Sequence, residues 1–193
     1  AGCTYKYLNA GPGAPAFLYV APKHADQARA ALSGWMGHAK PFAFDLGYQP
    51  ADGVERMRVG TPPVLAMAAL EASLDIWDRV DMGEVRARSL ALGDLLIAEI
   101  ARRCPSLRLV TPPAHAQRGS QVSFAFAGGY AAMQALIARG VIGDFRAPDI
   151  MRFGITPLYI GEAEVLKAAE IIEEVINGEV WRRQEYQVVN AVT

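Results

Sequence analysis

The 193-residue sequence predicts an α/β fold, and three observations support that prediction. Apolar residues recur at helical spacing in residues 64–77 and 162–177, which indicates helices with one buried face. Short apolar segments such as 16–20 and 122–126 are bounded by glycine, proline or polar residues, which is typical of strands. The hydrophobic fraction of 52% supplies enough apolar side chains for a sizeable core.

The first sixty residues contain few regular elements. Residues 16–20 (AFLYV) are predicted to form a buried strand, and residues 24–32 a helix that stops at Ser33-Gly34. Residues 33–61 are rich in glycine, proline and aromatic residues and show little periodicity. An irregular segment of this length inside a compact protein is usually functional, so we expect it to contribute to a site.

Two long helices are predicted next. Pro62 and Pro63 suit the start of the first helix, where a missing N–H costs nothing. Its predicted inward face consists of Val64, Met67, Leu70, Leu74 and Trp77. Asp81 followed by Glu84 resembles a capping box, which predicts a second helix that runs to Arg103 before Pro105 ends it.

The remaining residues alternate between strand and helix. In residues 122–126 the apolar positions alternate with Ser123 and Ala125, which predicts a half-buried strand. Helix 162–177 is predicted to bury Val165, Ala168, Ile172 and Val175. The other predicted elements are strands 107–110, 141–145 and 150–155 and helix 130–139, which ends at Gly140.

Charge and cysteine content exclude several classes of function. The net charge is −1 and no basic stripe is present, which argues against a nucleic-acid partner. Proline, glycine or charge interrupts every apolar run before 18 residues, so no membrane-spanning helix is predicted. Cys3 and Cys104 are far apart and give neither metal-ligand spacing nor a disulfide framework. We therefore expect two reduced thiols in a cytoplasmic protein without a metal site.

One lysine lies in an unusual setting. Lysine occurs at only four positions, and Lys6 stands between Tyr5 and Tyr7. A lysine amine is a nucleophile only when it is deprotonated, and apolar surroundings lower its pKa. Gly11 and Gly13 would let the backbone approach a ligand closely. These residues alone leave a surface lysine as the alternative interpretation.

Four segments in succession resemble motifs of kynureninase, a pyridoxal-phosphate enzyme of the aspartate-aminotransferase fold group. They are residues 5–11 (YKYLNAG), 34–38 (GWMGH), 58–63 (RVGTPP) and 151–159 (MRFGITPLY). The resemblance implies fold type I, and it covers only the C-terminal portion of that family. It implies that residues 1–60 are the end of the cofactor-binding large domain. Residues 61–193 would then be linking helices and a small α+β C-terminal domain.

The resemblance also implies roles for individual residues. Lys6 would hold pyridoxal phosphate covalently and act as the base at the substrate Cα, with Tyr5 beside it. Tyr5, Trp35 and Thr61 would donate hydrogen bonds to the cofactor phosphate, the last two from the neighbouring subunit. Without the resemblance, Tyr5 is interpreted as a packing aromatic and Trp35 as a core residue.

The substrate-binding residues follow from the same resemblance. Arg152 would clamp the substrate carboxylate, because a guanidinium binds a carboxylate in two places. Gly60 would adjust the fit to the aromatic ring, and His38 would line the substrate site. Arg146 competes with Arg152 for the carboxylate, although an ion pair is its simpler interpretation. A loop histidine with a local partner is likewise the simpler interpretation of His38.

The implied reaction is hydrolysis of the Cβ–Cγ bond of L-kynurenine to anthranilate and L-alanine, by a homodimer with a shared active site. The sequence does not decide between kynurenine and 3-hydroxykynurenine. The family's phosphate cradle, ring-stacking aromatic residue and ring-nitrogen aspartate precede the lysine, and none is found here. We therefore expect a missing N-terminal half and an inactive fragment. The alternatives are a cysteine desulfurase or selenocysteine lyase, and an inactive C-terminal dimerisation module.

Overall fold

The computed structural model describes residues 1–188. They form two compact units, Ala1–Val80 and a second unit that begins at Asp81. The sequence predicted a domain boundary between residues 60 and 61. The compact units instead divide after Val80, so helix Val64–Trp77 lies in the first unit and not in the second. Compactness does not say which residues belong to a cofactor-binding domain. The division into a large-domain remnant and a small domain therefore stays a prediction.

The first unit contains one hairpin and one long helix. Strands β1 and β2 pair antiparallel, with Gly2 opposite Phe17 and Cys3 opposite Ala16. The helices and strands in chain order are β1 (Gly2–Cys3), β2 (Ala16–Phe17), α1 (Pro22–Ala25) and α2 (Val64–Trp77). Short 3₁₀ helices at Trp35–Gly37 and Gly53–Met57 interrupt the segment that was predicted to be irregular.

Two predictions for this unit are wrong. Residues 16–20 were predicted as a buried strand, but only Ala16–Phe17 are in strand β2 and Tyr19 is 75% exposed. A strand that pairs only with the two residues of β1 is not a core strand. Helix 24–32 is reduced to α1, which buries no residue. Short helices depend on tertiary packing for their stability, and α1 has no buried face.

Helix α2 has nearly the predicted bounds but not the predicted burial. It covers Val64–Trp77, whereas Val64, Met67 and Leu74 of its predicted inward face are exposed. Its buried residue is Ser73, which the apolar pattern did not select. The apolar stripe of α2 is thus left uncovered in this chain.

The second unit is an antiparallel sheet with helices. Strands occur in the order β3-β4-β6-β5, and every neighbouring pair is antiparallel. The bounds are α3 (Met82–Arg103), β3 (Arg108–Leu109), β4 (Gln121–Ala125), α4 (Gly129–Ile137), β5 (Asp144–Arg146), β6 (Ile150–Gly154), α5 (Glu162–Asn177) and α6 (Gln184–Gln187). Short 3₁₀ helices lie at His115–Gln117 and Val180–Arg182.

The core of the second unit joins α3, α4 and α5 to the sheet. Ile100 of α3, Leu136 of α4 and Ile172 of α5 are fully buried, together with Met151 of β6. The predicted N-terminal cap of α3 is confirmed, because Asp81 Oδ1 accepts a hydrogen bond from the Glu84 N–H at 2.9 Å. This unit therefore has an independent apolar core of the kind that a folded domain needs.

Strand β4 differs from its prediction as a half-buried strand. Ser123 and Ala125, expected on the open face, are 7% and 5% exposed. The backbone N–H of Ser123 donates to Thr111 Oγ1 at 2.8 Å, so the segment after β3 also contacts this strand. A central strand between β3 and β6 is covered on both sides, and the alternation of apolar and small residues did not reveal that.

No helix within residues 1–188 is both long enough and apolar enough to cross a bilayer.

Candidate active site

Lys6 lies in the loop that joins β1 to β2. Thr4 Oγ1 donates to the Pro15 carbonyl at 2.5 Å, and the Asn9 N–H donates to the Lys6 carbonyl at 2.9 Å. Asn9 has a φ of 61°, a left-handed conformation that asparagine tolerates better than most residues. The loop is therefore closed by its own hydrogen bonds, with Lys6 near its start.

Helix α2 holds this loop in place. The Leu8 carbonyl accepts hydrogen bonds from Ser73 Oγ and from Trp77 Nε1, the latter at 3.3 Å. The Tyr7 ring lies 5.6 Å from the Trp77 ring, centroid to centroid. Ser73 and Trp77 are four residues apart and so share one face of the helix. The buried serine of α2 is thus explained by its bond to the lysine loop.

The side chains of Lys6 and Tyr5 are both exposed. Lys6 Nζ lies 5.2 Å from the centroid of the Tyr5 ring, within the range of a cation–π contact. Among residues 1–188 the Lys6 ammonium forms no ion pair. The amine therefore lies over the Tyr5 ring, and both side chains are accessible to a ligand.

The segment 34–38 packs backbone to backbone on residues 56–60. A β-carbon placed on Gly34 would lie 1.7 Å from the Val59 carbonyl oxygen, and one on Gly37 would lie 2.5 Å from that of Arg58. Trp35 Nε1 lies 4.0 Å from the position of a β-carbon on Gly60. Thr61, which follows Gly60, is exposed. The structure thus places Trp35 beside the Gly60-Thr61 segment.

Replacing Gly34 with alanine is expected to destabilise this unit by about 3 kcal/mol or more, because the new methyl group would overlap the Val59 carbonyl. The measurement is thermal and denaturant unfolding of the complete protein. Gly47→Ala is the matched control, since its β-carbon would meet nothing within 4 Å. Equal stability of the two variants would contradict the close packing of the two segments.

His38 is buried and uses both ring nitrogens. Nδ1 accepts from the Lys40 N–H at 2.9 Å, so Nε2 carries the proton and donates to the Gly47 carbonyl at 3.2 Å. Its ring contacts Tyr48 edge to face at 5.8 Å. These bonds favour the interpretation of a loop histidine with local partners. His38 nevertheless lines a cleft of about 400 Å³ together with Trp35.

Arg152 belongs to the second unit and already has a carboxylate partner. It lies on β6 directly opposite Asp144 of β5. Arg152 Nε donates to Asp144 Oδ1 at 2.6 Å, and Nη2 donates to Oδ2. These hydrogen bonds raise the pKa of the Arg152 guanidinium above its ordinary value. Arg146 Nη2 lies 3.3 Å from the same Oδ2, so Arg146 takes part in an ion pair.

Asp144 is the residue that sequence reasoning missed. The available signal was an acidic residue in one predicted strand and an arginine in the next, joined by the turn at Pro148-Asp149. Opposite charges on neighbouring antiparallel strands commonly pair. To predict that Asp144 pairs with Arg152, one needs the register of β5 and β6, and the sequence did not define that register.

The Cys104 thiol is poorly placed for a nucleophilic role. It directly follows the last residue of α3, is fully buried and belongs to the core. Burial raises the pKa of this thiol to about 11, so at neutral pH almost none of it is the nucleophilic thiolate. Residues 1–188 contain no group of three or more side chains suited to hold a metal ion.

The fold is that of the C-terminal part of fold type I pyridoxal-phosphate enzymes, as predicted. The apo cysteine desulfurase of Thermococcus onnurineus NA1 superposes with a TM-score of 0.71 at 18% identity, over 87% of this chain and 45% of that one. A cysteine desulfurase of Escherichia coli superposes with a TM-score of 0.66 at 20% identity, over 82% of this chain and 41% of that one. At these identities the likeness shows the fold alone.

Sequence similarity relates the chain to kynureninases. Residues 85–172 match the kynureninase C-terminal domain family. The chain is 48% identical to kynureninases of Pseudomonas fluorescens and Burkholderia mallei strain SAVP1, over its whole length and 47% of theirs. The predicted resemblance to the C-terminal portion of kynureninase is confirmed. The chain spans about half the length of these curated relatives.

Proposed function

We propose that this chain forms the C-terminal part of a kynureninase. The complete enzyme would use pyridoxal phosphate to hydrolyse the Cβ–Cγ bond of L-kynurenine to anthranilate and L-alanine. The observation that carries the proposal is the 48% identity to kynureninases across the entire chain. The proposal includes a further N-terminal half, because this chain spans 47% of those relatives.

The residues of the first unit fit pyridoxal phosphate. Lys6 offers an amine without an ion-pair partner among residues 1–188, and Tyr5, whose ring lies 5.2 Å from that amine, offers an exposed hydroxyl group. Trp35 and Thr61 offer an indole N–H and a hydroxyl, and both side chains are accessible. Lys6 would hold the cofactor, and the other three would bind its phosphate. When bound, the cofactor supplies an electron sink for the chemistry at the substrate Cα.

Side chains of this chain would bind the substrate and remove its Cα proton. Lys6 would remove the proton from Cα as the general base, with the Tyr5 hydroxyl assisting proton transfer. Arg152 would bind the carboxylate by two parallel N–H···O bonds. Gly60, which carries no side chain beside Trp35, would leave room for the aromatic ring, and His38 would line the site.

Lys6 is exposed in this chain, which bears on its chemistry. A closed active site excludes water from the reacting groups. Among residues 1–188 the Lys6 side chain is left exposed. We therefore propose that the N-terminal half and a second subunit complete the site, as a cytoplasmic homodimer with a shared active site. The 193 residues alone would be inactive.

A cysteine desulfurase is the alternative enzyme. Such an enzyme needs a reactive cysteine in a mobile loop of its C-terminal part. Cys104 is instead a core residue with a pKa of about 11, which disfavours that hypothesis. A dimerisation module without activity is the remaining alternative, and a bound cofactor would exclude it.

The test is anthranilate release from L-kynurenine by the complete purified protein, with and without added pyridoxal phosphate. We expect cofactor-dependent anthranilate formation with equimolar L-alanine. The same protein incubated with L-cysteine is expected to release no sulfide. Sulfide release without anthranilate would support the desulfurase, and neither product together with no cofactor absorbance would support the inactive module. Comparison with 3-hydroxykynurenine then defines the preferred substrate.

A further inference from the structure

We propose that Asp144 is a positioning residue for Arg152. Asp144 would bind the guanidinium edge formed by Nε and Nη2 and thereby present the adjacent edge, formed by Nη1 and Nη2, to the carboxylate of the substrate. This inference rests on the proposed function, in which Arg152 is the carboxylate clamp. It adds a residue that the four motifs do not contain.

The contacts define which edge is occupied. Asp144 Oδ1 accepts from Arg152 Nε at 2.6 Å, and Oδ2 accepts from Nη2. The carboxylate therefore lies along the side of the guanidinium formed by Nε and Nη2. A guanidinium has five N–H donors in one plane, of which these bonds use two. The remaining donors lie on Nη1 and Nη2, and that edge is suited to a second bidentate carboxylate.

The backbone makes this arrangement rigid. Asp144 and Arg152 are directly paired residues on the antiparallel strands β5 and β6. Directly paired residues have their β-carbons about 5 Å apart, so the two side chains are held by the ladder and not by loop conformation. A group held on strands can orient its neighbour more accurately than a group on a loop.

The net charge around Arg152 and the partial exposure of its side chain are compatible with binding of an anion. Arg146 contributes a second guanidinium 3.3 Å from Asp144 Oδ2, so the three side chains carry an excess of one positive charge. The Arg152 side chain is 28% exposed, so it is not sealed inside the core. Asp144 thus orients Arg152 without neutralising the cluster.

The experiment compares Asp144→Ala and Asp144→Asn with the wild type in the complete enzyme. Asp144→Ala is expected to raise KM for L-kynurenine about tenfold and to change kcat less than about twofold, because the carboxylate clamp loses its alignment. Asp144→Asn keeps one acceptor oxygen, so we expect a rise in KM of about threefold. Asp149→Asn is the matched control, since it removes a charge from the same hairpin without touching Arg152, and its KM is expected to be unchanged.

The outcomes separate three explanations. If the wild-type enzyme releases anthranilate and both Asp144 variants have an unchanged KM, the inference about Asp144 is overturned and the proposed function is not. A lower KM would overturn it in favour of Asp144 as a competitor of the substrate for Arg152. A wild-type enzyme that releases no anthranilate would overturn the proposed function together with this inference. Thermal melts identify any variant that fails to fold. If Asp144→Ala fails to fold, the KM of Asp144→Asn provides the test.

Discussion

Lys6→Ala in the complete enzyme is expected to lower kcat for anthranilate release at least about 1,000-fold. General bases contribute roughly 10²–10⁴ to the rate, and this substitution also removes the covalent anchor of the cofactor. The measurement combines the anthranilate assay with the visible absorbance of the bound cofactor. Borohydride reduction followed by peptide mass analysis is expected to add the cofactor mass to the peptide that contains Lys6 in the wild type only.

Lys23→Ala provides the control for this prediction. Lys23 lies in α1, is exposed and has no assigned role in the site. Its replacement is expected to leave kcat within about twofold of the wild type, as surface substitutions usually do. Turnover of Lys6→Ala above a tenth of the wild-type rate, or cofactor mass on another lysine, would contradict the assignment of Lys6.

Arg152→Leu is expected to lower kcat/KM at least about 100-fold. Hydrogen bonds to charged groups are worth about 1.5–3 kcal/mol each, and the clamp would lose two of them. The variant also leaves Asp144 without its bidentate partner. Arg152→Lys retains the charge but not the planar fork, so its kcat/KM is expected to fall between those of Arg152→Leu and the wild type. Steady-state kinetics with L-kynurenine measure both variants.

Arg146→Ala tests the competing assignment of the carboxylate clamp. Arg146 is exposed, and it lies 3.3 Å from the same Asp144 oxygen as Arg152. Exposed ion pairs contribute little, so we expect less than about a threefold rise in KM. A larger loss of kcat/KM in Arg146→Ala than in Arg152→Leu would make Arg146 the clamp and Arg152 its structural partner.

Local signals in the sequence were sufficient for the long helices. Helix α5 has the predicted bounds Glu162–Asn177, and Val165, Ile172 and Val175 are buried as its periodicity indicates. Ala168 was also predicted to be buried, but it is half-buried and its neighbour Ala169 is buried instead. The N-terminal cap of α3 depends on two residues three apart, Asp81 and Glu84, and could also be predicted. Such features are set by neighbours along the chain, which makes them accessible to sequence patterns.

Burial that depends on distant residues could not be predicted in the same way. Ser123 is covered by contacts from residues before its strand, and the stripe on α2 that includes Val64 is exposed although its pattern is amphipathic. The strand predicted over residues 16–20 failed because a two-residue ladder with β1 does not make a core. In each case the deciding partner is remote in sequence or is not in this chain.

In the candidate site, too, local features could be predicted from the sequence and contacts between distant residues could not. The adjacency of Trp35 and Gly60 is explained by glycines that permit close backbone packing, and the motifs contained those glycines. The bond between Asp144 and Arg152 required the register of two strands, which the sequence left open. The anchoring of the lysine loop by Ser73 required a contact across 65 positions of the sequence.

That anchor restricts how the length of this part of the chain can vary. Thr61 precedes α2, while Ser73 and Trp77 near its other end bind the Leu8 carbonyl beside Lys6. Each residue inserted into the helix turns the following ones by about 100° and advances them by about 1.5 Å. A single insertion before Ser73 would direct both donors away from Leu8. We therefore expect related chains to keep a constant number of residues between Thr61 and Ser73, and to differ in length at loops such as 41–47.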